Sequence, residues 1–321
     1  MVIFLTTLTE VNMELAAITA KQVAVLFILI LTGFVSVKTG IIKEGAKKAF
    51  TDFLISLVMP AMVINSYMAE FDSEIFHDLV QTFILSTIIL LMGILITILL
   101  TLRIRGKRNT PIIRFACIFS NAAYMGFPLI QALFGDVGLM YASSFVTMFN
   151  ILVWTVGYAL VSGKVAPKEI AKSIATTPVL WSVAIGLVIY LCRINVPDLI
   201  AEPIELIGDM NTPLSMIVTG MLVAEINPGK LFKNFDIFRV LLIRMLIIPA
   251  AGFLLFGILG VSGMPAKIAL LLEACPCAAI TSVFAVRFNH DEELAAGSVV
   301  LSTFLSILTL PLCAMIITKI M

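Results

Sequence analysis

The chain has 321 residues, of which 60% are hydrophobic and 13% charged, with a net charge of +1 at pH 7. A water-soluble domain of that length has no interior large enough to hide so much apolar surface, so the composition places the chain in a membrane. A near-neutral balance, with no basic stripe interleaved with aromatics, argues against nucleic acid as a partner.

The N-terminal stretch MVIFLTTLTEVNMELAA has no basic residues ahead of its apolar ones and carries Glu10 and Glu14, so it does not read as a cleavable signal peptide. With about 20 residues needed to cross a bilayer as a helix, hydropathy predicts ten spans. They lie near 16–37, 51–68, 79–102, 112–134, 138–161, 176–194, 203–225, 236–259, 264–287 and 294–318. No hydrophilic stretch is long enough for a separate soluble domain, so one all-α membrane bundle is expected. After span 1, GIIKEGAK (Gly40–Lys47) half-imitates a phosphate loop but lacks the Gly-Lys-[Ser/Thr] that holds a nucleotide. Span 2 carries Pro60 in LVMPAMVINSYM, and the loop behind it, 70–78, is acidic.

All of the 21 lysines and arginines except Lys21, Arg193, Lys267 and Lys319 fall in or beside the loops that follow spans 1, 3, 5, 7 and 9. Positive charge marks the cytoplasmic side, so both termini are expected to face outward from the cell membrane. Ten spans divide into residues 1–162 and 163–321, and an odd number in each half makes the halves inverted. Internal echoes agree: Pro60 in span 2 answers Pro213 in span 7, and SNAAYMGFP in span 4 answers EACPCAAITS in span 9. Interrupted hydrophobic segments at matching places in two inverted halves are a signature of secondary transporters.

Spans 4 and 9 each hold a proline and polar groups at membrane depth. A proline removes one helical hydrogen bond and displaces the carbonyl four residues earlier, and lipid does not satisfy freed backbone groups. Pro276 is expected to begin a new half-helix, where proline is favoured. In span 4, either Asn121 caps the second half-helix with its side chain or the bend centres on Gly126-Phe127-Pro128. Two half-helix N-termini facing one cavity would attract a small anion, a carboxylate above all.

The segments FSNAAYMGFPLIQALFG and EACPCAAITSVFAVRF, within the ten-span layout, resemble the auxin efflux carrier family. This family includes plant PIN proteins and bacterial malate and malonate permeases. The resemblance covers essentially the whole chain. It implies the inverted-repeat fold of the bile-acid transporter-like superfamily, with spans 4 and 9 crossing as broken helices. An elevator-like motion would carry small organic anions, in a homodimer. By motif, Asn121 would contact the substrate carboxylate, Pro276 would sit at the span 9 crossing, and Asn150 in MFNILVW would line the pocket. With the neighbouring Gly126, Pro128, Cys275 and Cys277, these form the expected substrate site. PIN proteins carry a proline where this chain has Ser120, a glutamine where it has Cys277, and a long loop between spans 5 and 6 that is short here. Those departures point from auxin toward another organic acid.

Three further groups are candidates. Glu273, deep in span 9, is a costly mid-membrane carboxylate and a candidate carrier of a coupling proton. Arg244, deep in span 8, either snorkels to the interface or meets a substrate carboxylate or Glu273. Asp209, with Asn211 and Thr212 at the start of span 7, either caps a helix or helps coordinate a sodium ion, which keeps a sodium-coupled symporter as the nearest alternative. Cys275-Pro276-Cys277 allows a lesser alternative, soft-metal transport. No zinc-ligand spacing, catalytic pair or cofactor motif is present, so an enzyme is not expected.

Overall fold

The computed structural model describes residues 21, 24–43, 46–104, 108–163, 167–224 and 234–320, to which every structural statement below refers. The N-terminal stretch, the start of span 1, residue 225 at the end of span 7 and the basic residues Arg105, Lys107, Lys164, Lys230 and Lys233 lie outside them. In chain order the helices are α1 (Ala24–Lys38), α2 (Lys48–Ser66) and α3 (Ser73–Leu100), then α4 (Thr110–Ile118) and α5 (Ala122–Ser162). They continue with α6 (Pro167–Thr176), α7 (Pro178–Leu191), α8 (Asp198–Asp209) and α9 (Asn211–Ala224). The last are α10 (Phe235–Leu259), α11 (Met264–Glu273), α12 (Ile280–Arg287) and α13 (Glu292–Ile320). Helices α2, α3, α5, α10 and α13 are long and apolar enough to cross a membrane.

The faces of these helices are those of a lipid-solvated protein. Along α3, Ile84, Leu91, Leu95 and Leu99 are exposed at helical spacing, while Thr82, Ser86, Gly93 and Thr97 face inward. In water that pattern would be turned inside out; in lipid, small and polar residues are what bring helices together. Three prolines inside spans share one local solution. Pro60, Pro128 and Pro249 each stand two residues after a π turn, at Leu54–Val58, Ala122–Gly126 and Ile243–Ile247. The wider turn lets the ring clear the preceding carbonyl without ending the helix. Within α5, Gly135 adopts φ 62° and ψ −155°, a conformation open only to glycine. It divides the helix into arms 122–134 and 136–162.

Packing sorts the helices into two bodies. In the first, α2 lies against α7, α8 and α9. There Gly186 sits on the Tyr67 ring and Gly208 on Met62, while Gly33 and Gly220 bring the α1 and α9 backbones together. In the second, α3 packs on α5 and α11, α12 on α13, and α10 on α13, α4 and α11. The bodies meet through Leu26, Ile30 and Met216 on one side and Met125, Leu129, Ala274, Cys275, Leu310 and Cys313 on the other. Polar contacts that join them include Tyr67 Oη to Ser143 Oγ at 2.7 Å and Thr212 Oγ1 donating to Gln131 Oε1 at 3.3 Å.

The loop ends group by side. Asn109 donates to Asp291, and the His290 ring contacts the Val161 carbonyl, at one end of the bundle. Away from that end, Arg193 stacks on Phe71 and Tyr190 bonds the backbone of Asp72.

Candidate functional site

Helix α4 stops at Ile118 because Phe119 turns extended, with φ −98° and ψ 120°. Helix α11 stops at Glu273, just before Cys275-Pro276, where the residue ahead of the proline is steered away from helical geometry. The two interruptions pair with each other. Ser120 and Cys277 form an antiparallel bridge. The Asn121 amide donates to the Pro276 carbonyl at 2.7 Å, and the Ala278 amide to the Phe119 carbonyl at 2.9 Å. The Cys277 amide donates to Ser302 Oγ of α13 at 3.0 Å. Backbone groups that lipid would leave unsatisfied are thus satisfied by protein.

Several expectations are corrected here. The span 4 break is at Phe119–Asn121 rather than around Pro128, because the π turn absorbs that proline. Pro276 does not start a helix; α12 begins at Ile280, and the proline carbonyl serves the crossing instead. The Asn121 side chain makes no capping bond, although the residue is buried. Its amide is left available beside the first turn of α5, whose leading N–H groups have no partner within the helix.

Arg244 does not snorkel. It is fully buried, and its guanidinium reaches the crossing. Nε donates to the Cys275 carbonyl at 3.1 Å, and Nη1 to the carbonyls of Cys117 at 3.2 Å and Ile118 at 3.0 Å. The same Nη1 lies 3.0 Å from Oε1 of Glu273, which is also fully buried. Of the two sharper alternatives for Arg244, the structure contains the pair with Glu273.

The remaining expected residues are placed as follows. Gly126 lies so close to α11 that a β-carbon would collide with the Leu272 side chain, and it faces Cys275 Sγ. Pro128 is buried in the first turn after the π segment. Asn150 is half-buried and donates its amide back to Val146 of its own helix at 2.8 Å. Cys275 and Cys277 are buried thiols. Asp209 is exposed, whereas Asn211 is fully buried with both amide atoms unpartnered among the described residues, and Thr212 bonds Gln131. Sequence reasoning missed Ser302, Gln131 and the three carbonyls on Arg244. Main-chain acceptors leave no residue-type signal, and hydroxyl or amide residues in apolar spans are too frequent to single out. An open cavity of about 580 Å³ lined by Arg108, Asn109, Asp236 and Asp291 lies at the charged end of the bundle.

A family model described as membrane transport protein matches residues 18–177 and again 164–314. An uncharacterized transporter of Methanocaldococcus jannaschii is 26% identical over 305 residues, covering 90% of this chain and 96% of its own. An uncharacterized transporter of Methanothermobacter thermautotrophicus is 24% identical over 313 residues, covering 92% of this chain and 98% of its own.

Proposed function

Because the chain belongs to the membrane transport protein family, that of the auxin efflux carriers, we propose that it carries small organic anions across the cell membrane as a secondary or facilitative transporter. The observation that carries this reading is the crossing itself. Two broken helices meet inside an apolar bundle, and the buried amide of Asn121 makes no capping bond beside a helix N-terminus. Such an end favours anions through its free N–H groups and partial positive charge. In this reading the substrate carboxylate accepts hydrogen bonds from Asn121 and the leading amides of α5. Gly126, Pro128, Cys275, Pro276 and Cys277 shape the floor, and Asn150 and the Asn211 amide border the site. Glu273 serves as the charge partner of Arg244, its carboxylate buried against the guanidinium, and stays the candidate for a coupling proton.

The proposed architecture is ten spans in two inverted halves, 1–162 and 163–321, with both termini outside and two copies forming a dimer. The repeated family match supports the halves. For movement, the two-body packing supports an elevator: α3–α5 with α10–α13 slides past α1, α2 and α7–α9. The bond between Tyr67 and Ser143 then belongs to this arrangement and breaks on translocation. Tyr67→Phe is expected to weaken the arrangement by about 1 kcal/mol, seen as faster amide exchange along α2 and residues 136–162. Unchanged exchange together with unchanged uptake would remove the contact from the translocation step.

The reading is tested by thermal shift with malate, malonate and indole-acetate as probes. At least one carboxylate is expected to raise the Tm of the unaltered protein. Asn121→Ala should weaken that binding by about 10- to 100-fold, the worth of hydrogen bonds to a charged group. Its unliganded Tm should stay unchanged, because the side chain makes no capping bond. Equal binding by the variant would take the substrate away from this crossing.

A further inference from the structure

Three main-chain carbonyls and one carboxylate oxygen, drawn from both broken helices, converge on the Arg244 guanidinium: Cys117, Ile118, Cys275 and Glu273. Their chemistry is that of a hard-cation site. Carbonyls at the C-terminal ends of interrupted membrane helices, with a nearby carboxylate, are what transporters use to hold sodium. In this protein the chain's own side chain stands there.

We propose that Arg244 is a tethered cation: it permanently fills an oxygen cage at the helix crossing that would otherwise take an alkali ion, so the carrier uses no sodium at this site. Charge balance supports this. The ends of α4 and α11 each contribute about half a negative charge, and the starts of α5 and α12 about half a positive charge each. Glu273 and Arg244 then cancel, and the crossing is neutral without any ion from solution. Removing the guanidinium leaves one uncompensated negative charge, which one monovalent cation restores.

The role differs from simple packing in being replaceable by a free cation of the right shape. Purified protein is compared by thermal unfolding in sodium chloride, in choline chloride and with millimolar guanidinium chloride added. No substrate is present, so the outcome does not depend on the organic-anion reading. The unaltered protein should have the same Tm in sodium and choline, and guanidinium should not raise it. Arg244→Ala should melt lower and recover several degrees, saturably, with guanidinium and to a smaller extent with sodium, as a ligand bound only by the folded state does. Arg244→Lys, which keeps the charge, should be indifferent to sodium. A folded Arg244→Ala that answers neither cation would overturn the proposal. So would a sodium-dependent Tm in the unaltered protein that Glu273→Gln abolishes, and this comparison decides the matter if Arg244→Ala cannot be isolated.

Discussion

Glu273→Ala is expected to lower stability by about 3–5 kcal/mol, the cost of stripping a buried charge of its partner, and to abolish transport. Arg244 and Glu273 are both fully buried, so neither water nor lipid headgroups screen what is left behind. Glu273→Gln retains an acceptor for the guanidinium and should cost less. The more telling variant is the double replacement Arg244→Met with Glu273→Leu. A buried ion pair exchanged for apolar side chains is often neutral or stabilising, and a pair serving only itself would follow that rule. Here the guanidinium also occupies the carbonyls of Cys117, Ile118 and Cys275. Each orphaned carbonyl costs about 1–3 kcal/mol, so the double variant should remain well below the unaltered protein in thermal unfolding. A double variant of full stability would show that the carbonyl contacts contribute little.

Alanine at Gly33 or Gly220 is expected to destabilise by about 3 kcal/mol each, the upper part of the range for overpacking. A β-carbon on Gly33 would lie inside the van der Waals shell of the Ile217 carbonyl, and one on Gly220 inside that of the Ile30 carbonyl. Both obstacles are backbone, so no rotamer change relieves them; α1 and α9 must separate along their contact. Close approach through small residues is a main source of helix association in lipid, where no hydrophobic force adds to it. Gly257 of α10 is the control, since nothing stands within 4 Å of a β-carbon built there. Gly257→Ala should leave Tm unchanged or slightly raised, as alanine is the better helix former. Equal losses at all three positions would mean that glycine flexibility, not proximity, matters.

The all-helical membrane character was legible because apolar runs announce themselves locally: apolar length marked the five helices long enough to cross a membrane, and Pro276 marked the interruption after α11. In span 4 the same reasoning divided between Asn121 and Pro128, and it could not decide. A π turn accommodates the proline, whereas the break at Phe119–Asn121 exists through pairing with residues far along the chain. Glu273 stood out as a carboxylate at membrane depth. Arg244 read as an ordinary snorkelling side chain because the oxygens that hold it are main-chain atoms from other helices. The same limit applies to the Asn121 cap, where residue type allowed a contact that the chain path does not make.

The neutrality proposed for the crossing would set how voltage acts on the proposed carrier. In the proposed elevator an unloaded crossing would move through the membrane field without electrical work. One holding a monovalent acid anion carries that single negative charge, and an inside-negative potential drives it outward with about 2.3 kcal/mol per 100 mV. A dianion feels twice the force. Such a carrier would favour expulsion of organic acids from a polarised cell, and its turnover would register as an electric current.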